Sequence, residues 1–406
     1  MSVIRGRVVT PAGVAHDAIV AIRDGRIASV VRAGADGRPS TALPDEPHVV
    51  LANDETLAPG LVDIHLHGAG GIDAMDGPTA IRRIGRYLAA RGITSFLPTA
   101  VSAPLERLAG FAADVRAARE AQADDRAAGA ALPEATILGA NLEGPALATR
   151  HRGAHDPDVL TTPTDVLAAW RADPGRWAEV RVVTLAPELR GGIELVRRLA
   201  GDGRVASVGH TGATYEEACA AYEAGARSTT HLFNQMTPLH HRLPGTVAAA
   251  LTHPTASVEL IADGHHVVPA VWPIIWRTVG SRLMLVSDAI SAAGTGDRDL
   301  RVGGLDVTVR GGRATLRDGT LAGSTVLLDG SLRNVVRGGL SLAKACRAAS
   351  QRPAWTVGAF EKGRIEVGCD ADLVVLGPDG SLRRVMVGGH WLADAHAADG
   401  DAADAG

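Results

Sequence analysis

His65-Leu66-His67 follows directly on the apolar run Leu61-Val62-Asp63-Ile64. Residues two apart on a strand share a face, so both imidazoles leave the strand end on the same side. Such a pair is half of a site for a borderline divalent metal. A bare H-x-H is as readily a pair of surface histidines. Its weight comes from polar residues that end similar runs downstream. These are Glu143 in Asn141-Leu142-Glu143-Gly144-Pro145, His210 in Val208-Gly209-His210-Thr211, and His231 in Thr230-His231-Leu232-Phe233-Asn234. Asp263-Gly264-His265-His266 and Asp288 in Leu285-Val286-Ser287-Asp288-Ala289 complete the series.

Each of these has an ordinary explanation alone: a hydrogen-bonded loop histidine, or an aspartate capping a helix. Together they are too many ionisable groups to cluster without a metal or a reaction to serve. Imidazole with carboxylate points to Zn2+ or Fe2+, one or two ions per subunit. Glu143, His210 and His231 form one ligand set. His65 and His67 form a second, with Glu143 bridging and Asp288 nearby. A bound ion brings the pKa of its water towards neutrality, and Asp288 suits the general base that takes up the proton.

The elements that must position these residues are legible from periodicity. Eight apolar runs alternate with Ala/Leu/Arg-rich helical stretches: Leu61–His65, Ile93–Leu97, Thr136–Asn141, Val180–Leu185, Val205–Val208, Ser228–Thr230, Ser257–Ile261 and Leu283–Ser287. Eight βα units predict a (β/α)8 TIM barrel, whose polar strand ends carry catalysis. Around it the pattern changes. Val3–Val9, Ala18–Arg23 and Arg26–Val31 read as strands, with Asp24-Gly25 as a hairpin turn. Residues 33–47 read as a loop. After Pro353, Gly363–Gly368, Ala371–Leu376 and Arg384–Val387 read as strands. The expected organisation is a barrel over 58–353 and a small β-sandwich domain formed by both termini, 1–57 and 354–393. An Ala/Asp/Gly-rich tail, 394–406, reads as disordered.

The 406 residues are 46% hydrophobic but 3% aromatic, so the core must be built from Ala, Val, Leu and Ile. A net charge of -4 leaves no basic footprint for nucleic acid or membrane. The opening residues carry no signal-peptide pattern, and no apolar stretch is long enough to span a bilayer. Cys219, Cys346 and Cys369 are scattered, as expected for thiols in a reducing cytoplasm.

The segments from Pro59-Gly60-Leu61-Val62-Asp63-Ile64-His65-Leu66-His67-Gly68, through Leu142-Glu143-Gly144-Pro145, Gly153-Ala154-His155, His231-Leu232-Phe233-Asn234 and Leu285-Val286-Ser287-Asp288-Ala289, to Leu321-Ala322-Gly323-Ser324 resemble the amidohydrolase superfamily. Within it they are similar to the N-acetylglucosamine-6-phosphate deacetylases. The resemblance implies hydrolysis of N-acetylglucosamine 6-phosphate to glucosamine 6-phosphate and acetate. It implies Glu143, His210 and His231 as ligands of the main metal, with His65 and His67 as ligands of a second. It further implies Asp288 as acid/base, His266 as the group that polarises the acetyl carbonyl, and His155 as a sugar contact. Asn234, the backbone N–H of Gln235 and Arg242 become phosphate contacts, Arg242 reaching across a homodimer.

Four residues depart from the family pattern. Gln235 stands where Ala is usual, Leu243 where Glu is common, Gly212 where Asp or Asn is common, and Ala146 where a bulky apolar residue is common. All four bear on the sugar and phosphate pocket, so the choice of sugar stays open. Another N-acetylated sugar, an N-acyl amino acid or a cyclic amide are the alternatives, as is a non-enzymatic scaffold. Cyclic amidohydrolases often bridge two metals with a carboxylated lysine. The two lysines of this chain, Lys344 and Lys362, follow the barrel strands.

Overall fold

A computed structural model describes residues 2–32, 49–129 and 133–392. The expected loop over 33–47 and the tail over 394–406 therefore lie outside the described residues. Eight parallel strands form the barrel: Leu61–Leu66, Ile93–Ala100, Ala140–Glu143, Val180–Leu185, Val205–Val208, Ser228–Thr229, Ser257–Ile261 and Leu283–Val286. The eighth returns to the first through the parallel bridge Leu66↔Ala289 and the bond from Asp288 N–H to His65 O (2.9 Å). Nearly every strand residue is buried, as both faces of a parallel barrel require.

Helices wrap the outside with one apolar stripe inward. In Pro78–Ala89 that stripe is Ile81, Ile84 and Leu88, one turn apart. Capping boxes at Thr162 and Thr214 start Pro163–Ala172 and Tyr215–Glu223, fixing where the loops after the third and fifth strands end. No helix among the described residues is long and apolar enough to cross a membrane.

Strands from both termini share one sheet, in the order His390–Trp391, Leu382–Val387, Leu373–Leu376, Thr56–Pro59, Ser2–Thr10, Gly13–Arg23, Arg26–Arg32, with Val49–Val50 beside the first strand of the chain. The sheet folds over its own core of Ile4, Val8, Val20, Ile27, Leu57, Leu373, Val375 and Met386, giving the small β-sandwich. Asp24 (φ 51°) and Gly25 (φ 73°) make the expected hairpin turn. Thr56–Pro59 runs straight into the first barrel strand. The joint is Gly60, where a Cβ would lie 2.2 Å from Thr94 Oγ1, so only glycine lets the two units approach.

Three local expectations are corrected. Gly363–Gly368 is not a strand: its glycines turn at φ 72° and 86°, and pairing with Ile27 is confined to Gly368 and Cys369. The run Thr136–Asn141 is broken at Gly139 (φ 140°) into Thr136–Ile137 and Ala140–Glu143. Between the eighth strand and helix Leu328–Arg337 lies an unexpected four-stranded antiparallel sheet: Arg298–Val302, Leu305–Arg310, Arg313–Thr315 and Leu321–Ser324. It buries its own cluster, including Ile290, Val302, Val307, Val309 and Ala322, against the barrel mouth.

Candidate metal centre and active site

The sequence-predicted residues converge on the C-terminal mouth of the barrel. His65 and His67 leave the first strand on one side, and both are buried. Glu143 ends the third strand. His210 and His231 follow the fifth and sixth, and Asp288 the eighth. Turning these side chains inward strains the backbone. Among the described residues six non-glycines have positive φ. Five of them are here: His210 (48°), His231 (28°), Phe233 (77°), Gln235 (49°) and Asp288 (50°). A left-handed non-glycine residue costs roughly 1–2 kcal/mol, so such a concentration marks a site built for function.

Glu143 sits at the centre. Its Oε1 is 3.1 Å from His210 Nε2, 3.0 Å from His231 Nε2 and 3.4 Å from His65 Nε2. Its Oε2 is 3.2 Å from His67 Nε2. Asp288 Oδ1 lies 3.4 Å from His65 Nε2 and 3.3 Å from His67 Nε2. The tautomer of His210 follows from its outer contact. His210 Nδ1–H donates to the carbonyl of His151 (2.8 Å), leaving a lone pair on Nε2. That Nε2 faces His231 Nε2 at 3.0 Å. Two imidazole nitrogens and a carboxylate oxygen at this separation crowd lone pairs that a divalent cation would bind. The buried Nε2 of His65 has no hydrogen-bond partner among the described residues. The donor set therefore fits a metal with nitrogen and oxygen ligands.

The charges respond accordingly. Burial works to raise the Glu143 carboxyl, but the electrostatic attraction of His65 and the hydrogen bond from His155 hold it well below the usual range. Burial likewise opposes, and His65 and His67 outweigh it, in keeping Asp288 low. Burial drives His210 down to about 4, keeping that ring neutral and able to ligate.

His155 stands differently. Its Nδ1 accepts the N–H of Ser102 (3.1 Å), so Nε2 carries the proton and faces Glu143 Oε2 at 3.2 Å. It is a donor beside the cluster, with no lone pair to spare for a metal. His266, after the seventh strand, donates Nδ1–H to Asp263 Oδ2 (2.7 Å). Burial works to raise Asp263, yet the hydrogen bonds and charge of His266 hold it at about 2. The other edge of the ring faces the cavity lined by His67, Glu143, His155, Asn234, Gln235 and Asp288. Val101, Ile290, Val302 and Leu321 form its apolar wall. His265 is exposed.

Asn234 turns its amide N–H groups to the carbonyls of His231 and Leu232 (both 3.2 Å). Gln235 packs beside Gly153, where a Cβ would come within 3.0 Å of Gln235 Cγ. Arg242 is not brought to the cavity. It lies on an exposed turn with Leu243, and no lysine or arginine lines the cavity among the described residues. At Gly212, where the motif leads one to expect Asp or Asn, the carboxylate of Glu188 accepts the N–H (2.6 Å).

Three acidic partners were not singled out from the sequence in these roles. Asp63, fully buried, accepts the N–H groups of His65 and Ser287 (both 3.3 Å), and burial pushes it up to about 6. Asp263 orients His266. Glu259, inside the seventh strand, contacts His65 Nδ1 and His231 N–H (both 3.0 Å). A readable signal existed: each carboxylate is embedded in, or directly follows, an otherwise apolar barrel strand.

The chain matches the family described as "Amidohydrolase family" over residues 56–392. It is 34% identical to the N-acetylglucosamine-6-phosphate deacetylase of Vibrio furnissii over 384 residues, covering 94% of this chain and 92% of that protein. It is 35% identical to the N-acetylgalactosamine-6-phosphate deacetylase of Escherichia coli O157:H7 over 358 residues, covering 87% and 92%. In three dimensions it is similar to the N-acetyl-D-glucosamine-6-phosphate deacetylase of Mycobacterium smegmatis, solved in complex with N-acetyl-D-glucosamine-6-phosphate. The TM-score is 0.83 at 34% identity, over 96% of this chain and 98% of that one.

Proposed function

The chain belongs to the amidohydrolase family, and from that premise we propose that it hydrolyses the acetamide of N-acetylglucosamine 6-phosphate to glucosamine 6-phosphate and acetate. The observation that carries the chemistry is the convergence of His210 Nε2, His231 Nε2 and Glu143 Oε1 within 3.1 Å, beside the carboxylate of Asp288. Glu143, His210 and His231 would hold the main metal, with His65 and His67 offering a second set. Zn2+ fits these donors, and Fe2+ fits them too. When bound, a divalent ion supplies Lewis acidity for the water and the acetyl carbonyl.

The remaining roles belong to the chain. Asp288 takes a proton from the attacking water and returns it to the leaving nitrogen; amide and water thus give the amine and acetic acid, whose proton passes to the amine or to solvent to leave acetate. His266, held by Asp263, presents its ring to the carbonyl oxygen on which negative charge develops. The apolar wall of Val101, Ile290 and Leu321 suits the acetyl methyl group. His155 contacts the sugar, and Asn234 and the backbone N–H of Gln235 approach the phosphate. The absence of a cation from the cavity lining among the described residues supports a homodimer in which Arg242 of one subunit completes the phosphate site of the other. We read 58–353 as the catalytic domain and 1–57 with 354–393 as its supporting β domain, in a cytoplasmic enzyme.

A second reading concerns the hexose. The relative named for N-acetylgalactosamine 6-phosphate is as similar as the one named for N-acetylglucosamine 6-phosphate, and Gln235 is polar where the family usually has Ala. The two substrates differ only at C4. The test is acetate release by the metal-replete protein from both 6-phosphates and from both unphosphorylated sugars. A preference for one 6-phosphate decides the epimer. Equal rates with and without phosphate would overturn the phosphosugar assignment while leaving amide hydrolysis standing.

A further inference from the structure

Glu259 occupies the middle of the seventh barrel strand, Ser257–Ile261, and is 1% exposed. An ionised carboxylate so deep in a barrel is costly unless paired, and a leucine would fill the same space at no such cost. Among the described residues no lysine or arginine forms an ion pair with it. Its one ion-pair partner among the described residues is His65, whose Nδ1 lies 3.0 Å from Glu259 Oε2. The same oxygen accepts the backbone N–H of His231 at 3.0 Å, and the backbone carbonyl of Glu259 accepts the N–H of Leu232, also at 3.0 Å.

We propose that Glu259 is a positioning residue that selects the ligating tautomer of His65 and ties it to the turn carrying His231. The inference rests on the metal-centre reading above. A neutral imidazole has one N–H, and whichever nitrogen keeps it cannot ligate. On its inner side His65 Nε2 faces two carboxylates, Glu143 Oε1 and Asp288 Oδ1, both at 3.4 Å. Either would accept a proton from Nε2 and hold the ring in the tautomer that cannot bind a metal. Glu259 is the acceptor on the outer side, drawing the proton to Nδ1 and leaving the Nε2 lone pair directed inward. The backbone contact adds a second consequence. His231 sits at φ 28°, a conformation that L residues rarely adopt, and the Glu259 oxygen holds its N–H in place. One carboxylate oxygen thus anchors a member of each ligand set, the pair on the first strand and the group formed by Glu143, His210 and His231. Outer partners of this kind typically change metal affinity 10- to 100-fold.

Two measurements on the full chain test this. Zinc binding to chelator-stripped protein, read by competition with a chromophoric chelator, is compared between parent and Glu259→Gln, which keeps size and shape. The expected result is a stripped variant that melts cooperatively and binds at least one zinc equivalent about 10- to 100-fold more weakly. Zinc binding equal to the parent in affinity and stoichiometry overturns the proposal. Independently of any fold defect in that variant, long-range 1H–15N spectra of histidine-labelled stripped parent read the tautomer directly. The His65 ring is assigned by its loss in His65→Asn. A proton on Nδ1 is expected, with or without a second proton on Nε2, and an unprotonated Nδ1 overturns the proposal. A parent that takes up no zinc at all overturns the metal-centre reading and this inference with it, whereas a zinc-binding parent with an indifferent variant overturns only the latter.

Discussion

Asp288 shows how one residue is given its task by its surroundings. Its backbone is built into the closing seam of the barrel: the N–H donates to His65 O (2.9 Å) and the carbonyl accepts from Ser324 N–H (2.8 Å). Its left-handed φ of 50° points the carboxylate at the histidine cluster. Asparagine tolerates this backbone region and keeps the side-chain outline, but cannot take up a proton. Asp288→Asn is therefore expected to lower kcat about 10^2- to 10^4-fold, as loss of a general acid/base does. Zinc at the Glu143–His210–His231 set should be retained. Metal analysis of the purified variant beside its steady-state rate checks both halves, and a kcat near the parental value would remove Asp288 from the proton path.

At the scale of elements, the loop after the third strand decides how the cavity is bounded. Gly153 (φ 58°) on this loop meets Gln235 from the turn after the sixth strand, and His155 on the same loop meets Glu143. An alanine Cβ at position 153 would lie 3.0 Å from Gln235 Cγ and 3.4 Å from His210 Cε1. It would also carry a left-handed penalty of roughly 1–2 kcal/mol. Gly153→Ala should raise KM for the phosphosugar more than it lowers kcat, with zinc content unchanged, because the crowding falls on the sugar side of the cluster. Substrate saturation curves with parallel metal analysis test it. An unchanged KM would show that the loop gives way. The antiparallel sheet inserted after the eighth strand is the other bounding element. It was not foreseen because its alternating residues Leu300, Val302, Val307 and Val309 lie among glycines and charges that read as loop.

Across the whole molecule, the terminal sheet and the barrel are locked by Lys362, whose Nζ contacts Asp372 (2.6 Å), Asp370 (2.8 Å) and Thr136 Oγ1 (3.2 Å). Lys362→Met leaves a buried carboxylate without its cation and should cost about 3–5 kcal/mol in denaturant unfolding. Burial works to lower this lysine, but the charges of Asp372 and Asp370 outweigh it and raise its pKa above the ordinary 10.5. A folded-state pKa above the unfolded one means the contribution is complete below the unfolded value and is lost as pH rises through the folded value. The gap between parent and variant should thus shrink only in strongly alkaline solution; a gap independent of pH would trace the defect to packing. The expected homodimer yields a sharper test. Inactive Arg242→Ala and inactive Asp288→Asn chains, unfolded together and refolded, should recover roughly a quarter of parental activity. Half of the random dimers are mixed, and each mixed dimer has one complete site if Arg242 acts across a two-fold interface. No recovery from folded mixed dimers would mean that Arg242 serves its own subunit or none.

The eight-fold alternation of apolar strand and helix, and the polar residues that end the strands, were decided by the sequence alone. Periodicity and burial are local consequences of residue type, so the barrel and its ligand candidates His65, His67, Glu143, His210, His231 and Asp288 could be read without coordinates. What only the tertiary structure decided are relations between distant segments. That Ser102 sets which nitrogen of His155 carries the proton, and that Glu259 spans His65 and His231, depend on distances of about 3 Å between residues up to 194 positions apart. The cavity's lack of a cation of its own among the described residues is likewise a property of the closed barrel. Closure of the sheet brings strand one against strand eight and turns the Nε2 atoms of His65, His67, His210 and His231 towards Glu143. Spacing along the chain carries no information about that choice, because it is made by the partners that the fold delivers.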